Sequence, residues 1–162
     1  MNTSARPQSD ASRLREFQLF LYRHIPLTES MQLRLDAYTG QELQISAPLA
    51  PNINDKGTAF GGSASTLKII CGWSLLKLNL IDLSMPHDIV ISKSTCRWHK
   101  PLSDALSAHA RFKTDTSWDD FIEKFKKSNR NMSIPLQVEI HDARGEICSS
   151  MQASYAIIQP NS

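Results

Sequence analysis

The segment Asn54-Asp-Lys-Gly-Thr-Ala-Phe-Gly-Gly-Ser63 holds the residues of this chain that are best suited to chemistry. A long apolar run follows it, so Gly61 and Gly62 stand where a helix is expected to open, at Ser63. Amide groups at a helix start lack internal partners and carry partial positive charge, so they attract an oxyanion or a polarised carbonyl. Glycines there allow a substrate to lie directly against the backbone. The pattern predicts a site that acts on a carbonyl group.

Polar side chains stand just upstream of the glycines, at Asn54 and Asp55. An amide there would orient a water molecule or the carbonyl compound, and a carboxylate would accept a proton from that water. Each residue also has a structural use. Asparagine braces turns by bonding to nearby backbone, which is the expected role of Asn52, and Asp55 can form a solvated pair with Lys56. The sequence leaves both uses open for Asn54 and Asp55.

Four more side chains are candidates for contact with a bound molecule, namely Thr58, Phe60, Ser63 and Lys68. Thr58 or Ser63 could position a water molecule. Ser63 could instead cap the helix, which requires only its position, whereas nucleophilic attack would need a paired base. Lys68 could meet a phosphate or an acid, or its stem could follow the apolar surface while its ammonium group reaches water.

Hydrophobic periodicity predicts the elements that hold this segment. The predicted order is a helix at 14–25 ended by Pro26, strands at 33–37 and 43–49, a helix at 63–80, strands at 89–98 and 106–112, a short helix, and strands at 134–140 and 147–158. A capping box at Ser117 and Asp120 marks the start of the short helix. Prolines after the second strand release the chain into the candidate loop.

The predicted helix at 63–80 is apolar on nearly every side, so the fold must enclose it. Only a narrow stripe of small or polar residues interrupts it, at Ser65, Lys68, Gly72 and Asn79, and we expect a close neighbour to pack there. The strands, in contrast, alternate apolar and polar residues. An antiparallel sheet wrapped around one long central helix satisfies both patterns, which is an α+β fold.

Composition bounds the function classes. A chain of 162 residues with 41% hydrophobic residues is expected to form one domain, at 12–160, behind a flexible tail at 1–11. A net charge of +2, with dispersed basic residues, argues against nucleic-acid binding. Polar residues interrupt the longest apolar run well short of the ~20 residues of a membrane span, so we expect a cytoplasmic protein without a membrane partner.

Cysteine and histidine spacing indicates no metal site. The three cysteines form no C-x-x-C pair, and Cys71 and Cys148 lie in apolar or small-residue patterns typical of buried free thiols. The five histidines show no ligand spacing, so no metal and no resident cofactor are expected.

The run at 52–63, together with Gly72-Trp73, Ile89-Val-Ile-Ser92 and Lys100-Pro101, resembles the thioesterase domain found at the C-terminus of YiiD-type proteins, over residues 14–158. The resemblance implies a hotdog fold and a homodimer, or a dimer of dimers, whose sheets pair edge to edge. It implies an acyl thioester of coenzyme A or acyl carrier protein as substrate, bound at the dimer interface. Coenzyme A or phosphopantetheine would enter only as part of that substrate.

By motif position, the resemblance gives Gly61 and Gly62 the amides that polarise the thioester carbonyl, and it makes Asn54 the loop residue that orients water or thioester. This agrees with the helix-start argument. The strand end at Trp98-His99-Lys100-Pro101 would contribute to the pocket rim, where Lys100 could meet the phosphates of coenzyme A, although a plain strand end is an equal alternative.

This chain departs from many hotdog thioesterases in two ways. Phe60 stands where they carry a histidine, and no Asp or Glu occurs between Ser63 and Ile81, where others place a helix carboxylate. Asp55 is then the nearest carboxylate for a base. The alternative function is a non-catalytic module that binds or senses acyl thioesters. Hydration or dehydration of such thioesters would require a His and Asp pair that the loop lacks, and an inert structural homodimer is a further alternative.

Overall fold

The structure, a computed structural model, describes residues 10–160. Its helices are α1 (Asp10–His24), α2 (Pro26–Ser30), α3 (Gly61–Asp82) and α4 (Trp118–Lys126). Its strands are β1 (Arg34–Tyr38), β2 (Glu42–Ala47), β3 (Asp88–Trp98), β4 (Leu106–Phe112), β5 (Met132–His141) and β6 (Ile147–Ile158). Every predicted element is present in the predicted order, and α2 is an additional short helix that was not predicted. Of the predicted tail at 1–11, residues 1–9 lie outside the described residues, and α1 already begins at Asp10.

The strands form one 6-stranded sheet in the order β1-β2-β4-β5-β6-β3. Every neighbouring pair is antiparallel. Helix α3 packs against this sheet and contacts β2 to β6. The predicted α+β fold, an antiparallel sheet wrapped around one long helix, is therefore confirmed. Ser117 caps α4 as predicted, because its side chain accepts a hydrogen bond from the Asp120 N–H at 3.2 Å.

Helix α3 is the centre of the core. Leu67, Cys71 and Leu75 lie on one side of the helix and Leu76 and Leu80 on the opposite side, and all five are inaccessible to solvent. By length and composition alone α3 could cross a membrane, but 67% of its most apolar window is buried inside the fold. Burial on all sides is the arrangement expected of a uniformly apolar helix in a folded domain.

The small-residue stripe of α3 receives a close neighbour, as predicted. A Cβ atom on Gly72 would lie 2.5 Å from the hydroxyl oxygen of Tyr155 in β6. That hydroxyl donates a hydrogen bond to the Ile69 carbonyl at 2.9 Å. Real Cβ contacts are never this short, so glycine is the residue that lets the tyrosine reach the helix backbone.

One predicted helix start is wrong, and one predicted helix end proves to be a junction of two helices. Helix α3 begins at Gly61, not at Ser63, and its N-cap is Phe60, whose carbonyl accepts the first helical bond from the Ala64 N–H at 3.0 Å. Ser63 is therefore the third helical residue and not the cap. Pro26 ends α1 but also opens α2, because the fixed φ of proline suits the first position of a helix.

Strand β3 is an edge strand of 11 residues that pairs only with β6. Apart from Ile89 and the half-buried Cys96, its residues are exposed. Apolar side chains are among them, since Val90 is 48% and Trp98 is 56% exposed. The single wet face predicted for this strand is therefore not matched by burial, because in the single protomer α3 covers only part of its inner face.

Candidate functional site

The loop before α3 is a tight turn that its own backbone and side chains hold together. The Gly57 N–H donates to the Asn54 carbonyl at 3.2 Å, and Gly57 adopts a φ of +77° that favours glycine. Asn54 braces this turn with its amide, because Oδ1 accepts from the Lys56 and Thr58 N–H groups and Nδ2 donates to Thr58 Oγ1 at 2.9 Å. The Asn-Asp-Lys-Gly sequence thus forms a turn, and Asn54 fixes the position of Thr58.

Asn52 ties the loop to the rest of the fold, as its structural interpretation predicted. Its side chain is buried, and Nδ2 donates to the Met31 and Pro48 carbonyls at 3.0 and 2.8 Å. Its own carbonyl accepts from the Phe60 N–H at 2.7 Å. A bond from the Ala59 N–H to the Leu102 carbonyl, at 2.7 Å, holds the same stretch from the other side. The approach to α3 is therefore rigid.

The first turn of α3 has amide groups without partners. Phe60 provides no side-chain cap, and the first residues of a helix have no internal acceptors. Within residues 10–160, the Gly61 N–H has no hydrogen-bond acceptor. The helix dipole adds positive potential at this point. The geometry can therefore stabilise an oxygen atom that gains negative charge, provided that such an atom can reach the turn.

A pocket of about 420 Å³ gives access to that turn. It is lined by Thr58, Ala59, Gly61, Ala64, Trp98, His99, Lys100, Pro101, Leu102, Ile140, Cys148 and Ser149. The loop and first turn of α3 form one wall, and the ends of β3, β5 and β6 form the others. Thr58 and Gly61 are the predicted site residues that the pocket brings together.

The other predicted site residues lie around this pocket without lining it. Asp55 occupies the tip of the turn, where its carboxylate is 81% exposed and pairs with Lys56 at 3.2 Å. Phe60 is exposed and its ring covers Gly62, which leaves Gly61 as the glycine that faces the pocket. The roles predicted for Asp55, Gly62, Phe60 and Ser63 stay predictions.

The sequence allowed the ammonium group of Lys68 to reach water, and this interpretation is wrong. The side chain is 0% exposed. Its ammonium group donates to Ser149 Oγ, and it lies 4.4 Å from the centre of the Trp98 ring. Burial lowers the pKa of Lys68, and the nearby Cys96 thiol acts in the opposite direction. Lys68 is thus one layer behind the pocket wall that Trp98 and Ser149 form.

Lys100 lines the pocket, but its ammonium group is bound to two carboxylates. Its ammonium group donates to Asp142 Oδ2 at 2.7 Å and also to Glu146. These bonds raise the pKa of Lys100, and they lower the pKa of Asp142 to about 2. The strand end at Trp98-His99-Lys100-Pro101 belongs to the pocket rim as predicted, while contact between Lys100 and a phosphate stays a prediction.

Sequence reasoning did not find the pocket residues contributed by the last two strands and the turn after β3, which are Leu102, Ile140, Cys148 and Ser149. They reach the site through strand pairing, and no local motif marks them. The register places Trp98 opposite Ser149 and Ile140 opposite Ser149 on either side of β6. Within the described part of the chain, no group of His, Cys, Asp or Glu side chains could hold a metal ion.

Comparison with known proteins identifies the family of this chain. Residues 14–159 match a family described as "Putative thioesterase (yiiD_Cterm)". The chain belongs to this YiiD C-terminal thioesterase family. In this YiiD C-terminal domain the match includes the loop, α3 and every residue that lines the pocket.

Solved structures share the fold of this YiiD C-terminal domain. A protein from Shewanella oneidensis, described as a "putative thioesterase", is 27% identical with a TM-score of 0.78, and the alignment covers 92% of this chain and 99% of that chain. A Chlorobaculum tepidum protein of unknown function is 23% identical, with a TM-score of 0.83 over 93% and 96% of the two chains. A Haemophilus influenzae thioesterase is 12% identical, with a TM-score of 0.70 over 90% of each chain. The hotdog fold that the resemblance implied is therefore confirmed.

Proposed function

We propose that this thioesterase-family domain hydrolyses acyl thioesters of coenzyme A or acyl carrier protein, and that the Gly61 amide polarises the thioester carbonyl. The observation that carries the proposal is the unpartnered Gly61 N–H at the start of α3, where Gly61 lines a pocket of about 420 Å³. A donor fixed in advance at the place where charge develops is usually the largest single contribution to acyl-transfer catalysis.

The loop contributes by holding its residues rigid. Asn54 acts through Thr58, because its amide fixes the Thr58 side chain, which lines the pocket and can hold the attacking water. Thr58 Oγ1 can both donate and accept a hydrogen bond. The Asp55 carboxylate is solvated, so we propose water attack without a strong protein base in the protomer.

We propose that the active form is a homodimer in which β3 pairs with a second copy. An exposed, long edge strand with apolar side chains is a template for strand pairing, and Val90, Ile91 and Trp98 provide that apolar surface. Trp98 also lines the pocket, so pairing at this edge would bring the second copy next to the proposed site. Assembly into a dimer of dimers stays a prediction.

Substitution of Gly61 tests the proposed role of its amide. Gly61→Pro removes the N–H, and proline is favoured at the first helical position after an extended residue such as Phe60, whose φ and ψ are −66° and 131°. Gly61→Ala is the matched control, because it adds a Cβ at 3.7 Å from Trp98 and keeps the N–H.

Thiol release from acyl-CoA and acyl carrier protein thioesters of several chain lengths gives the readout. We expect Gly61→Pro to lower kcat about 10²- to 10³-fold relative to Gly61→Ala, which is the cost of losing one oxyanion donor. Equal activity of the two variants would remove the Gly61 amide from the mechanism.

A non-catalytic acyl-thioester binding module is the second candidate, favoured by the absence of Asp and Glu from residues 63–81. It requires the same pocket but no turnover. Calorimetric titration with acyl-CoA, carried out beside the thiol assay, separates the two functions. Binding without thiol release over the whole panel would favour the module, and neither binding nor release would favour an inert homodimer.

A further inference from the structure

The buried ammonium group of Lys68 is the feature that the proposed mechanism leaves without a role. Lys68 is 0% exposed, and no carboxylate forms an ion pair with it in the part of the chain that the structure describes. A lysine is almost never fully buried without a partner of opposite charge, because removal of the ammonium group from water is costly. A group that gains negative charge during a reaction would provide the missing partner.

Two contacts of Lys68 favour its charged form and oppose burial, which lowers its pKa. Lys68 donates to Ser149 Oγ, and the hydroxyl of Ser149 donates to the Arg97 carbonyl at 3.0 Å. Since the serine hydrogen is already used, Ser149 acts toward Lys68 as an acceptor. The face of the Trp98 ring, 4.4 Å away, also attracts a cation.

Lys68 lies on the same side of α3 as the polarising amide. Gly61, Ala64 and Lys68 are spaced by three and four residues, which places them on one helix face, and helical side chains point back toward the N-terminus. The Trp98 ring lies next to both ends of this row. Its Cη2 atom is 3.7 Å from the place of a Cβ on Gly61, and the ring centre is 4.4 Å from Lys68 Nζ. The indole therefore lies beside both Gly61 and Lys68.

We propose that Lys68 is a catalytic residue whose ammonium group, together with the Gly61 amide, stabilises the oxyanion of the thioester, and that the substrate takes the place of the Trp98 indole. This inference rests on the proposed function. In the single protomer Trp98 is 56% exposed at the last residue of β3, so its ring can turn away from Lys68 without opening the core. Helix α3 thus provides a positive charge through Lys68, although residues 63–81 contain no carboxylate.

The reaction balances without a proton taken by Lys68. Water adds to the carbonyl carbon, and the electron pair of the C=O bond moves to the oxygen that Lys68 and Gly61 face. The C=O bond then re-forms as the C–S bond breaks, and the thiolate leaves with a proton from the attacking water. The products are the free acid and the thiol.

Substitution of Lys68 is the first test. We expect Lys68→Met, which keeps the length and removes the charge, to lower kcat about 10²- to 10³-fold with little change in KM, and Lys68→Arg to keep more activity. Lys77→Met is the matched control on the same helix, and its activity should equal that of the wild type. Circular dichroism verifies that each variant folds.

The pH profile separates a cation from a base. If the ammonium group acts, kcat falls as pH rises through the lowered pKa of Lys68, whereas a neutral lysine base would make kcat rise. Two strands pack against Lys68. Strand β3 contributes the titratable thiol of Cys96, and β6 contributes the hydroxyl of Ser149. The pH profile is therefore measured in Cys96→Ser as well. A rise of kcat in the wild type would overturn the proposal, and this test does not depend on a folded Lys68 variant.

Chemical labelling tests whether the Trp98 ring covers Lys68. Reductive methylation followed by peptide mass spectrometry should modify Lys68 slowly in the wild type and faster in Trp98→Ala, and a non-hydrolysable acyl-CoA thioether should protect Lys68 in that variant. Equal labelling with and without the thioether would overturn the contact between Lys68 and substrate.

The two proposals fail in distinguishable ways. Absence of thiol release by the wild type over the whole substrate panel would overturn the proposed hydrolysis and this inference with it. Turnover by the wild type together with equal kcat in Lys68→Met and Lys77→Met would overturn the role of Lys68 alone.

Discussion

The hydroxyl of Tyr155 lies directly over the backbone of Gly72, where a Cβ atom would come within 2.5 Å of the hydroxyl oxygen. We expect Gly72→Ala to lower the free energy of unfolding by about 1–3 kcal/mol, the usual cost of overpacking a core. Urea unfolding measures this change. Ser65→Ala, at another position of the same stripe, should have a much smaller effect.

The source of that cost can be assigned with a second substitution. Tyr155→Phe removes the clashing oxygen but keeps the ring atoms Cζ and Cε2, which would lie 2.8 and 2.9 Å from the new Cβ. The double variant Gly72→Ala/Tyr155→Phe should therefore be somewhat more stable than the sum of the single changes predicts, without full recovery. Additive effects would show that the two residues do not interact through this contact.

A second prediction concerns Asn52, whose side-chain amide donates to the carbonyls of Met31 and Pro48. Asn52→Ala leaves both carbonyls without this donor, and we expect a loss of about 1–3 kcal/mol in the free energy of unfolding. Asn129→Ala is the control, because Asn129 is exposed. A change no larger than that of the control would contradict the bracing role.

A third prediction concerns pH and His109. Burial, followed by the neighbouring His141, holds the pKa of His109 below its usual value. The unfolded chain then binds a proton at higher pH than the folded chain, so the stability due to His109 is present above the usual histidine pKa of about 6.5 and is lost as pH falls through the folded value.

Melting temperatures between pH 8 and pH 5 measure this effect. The decrease toward pH 5 should be smaller in His109→Gln than in the wild type, whereas His24→Gln, at the exposed end of α1, should leave the decrease unchanged. An unchanged decrease in His109→Gln would exclude His109 as its source.

A fourth prediction tests the proposed homodimer. Charged residues at an edge strand oppose strand pairing, so Val90→Lys/Ile91→Lys should convert the dimer into a monomer in sedimentation velocity experiments. Ile81→Lys is the control, since Ile81 is 48% exposed but lies at the end of α3, outside β3. A wild-type chain that sediments as a monomer at assay concentration would exclude a stable dimer.

Local patterns predicted much of this molecule. The apolar residues at 63–80 indicated a buried helix, and the small residue at Gly72 indicated a close neighbour, because both follow from the period of one helix. The Asn-Asp-Lys-Gly sequence is typical of a turn, because asparagine side chains bond readily to nearby backbone. The structural role of Asn52 could be predicted for the same reason. The start of α3 was misplaced by two residues, because paired glycines fit a turn and a helix equally well.

The walls of the pocket could not be predicted in this way. Trp98 and Ser149 meet because β3 and β6 pair in a register that places them opposite each other, although they are far apart in the sequence. The burial of Lys68 depends on the same pairing, since its ammonium group is covered by residues of both strands. A single sequence contains the period of each strand but not the choice of its neighbours.

The uncapped start of α3 has an evolutionary consequence. Phe60 stands where Ser, Thr, Asp or Asn would strengthen a helix by roughly 1 kcal/mol. Such a cap would place an oxygen on the Gly62 or Ser63 N–H. Its partial negative charge would then lie beside the Gly61 amide and repel the carbonyl oxygen of the proposed substrate. Under the proposed function, selection for thermal stability and selection for thioester hydrolysis therefore act in opposite directions at this position. Laboratory evolution for heat resistance alone should enrich polar replacements of Phe60 that lower the proposed activity.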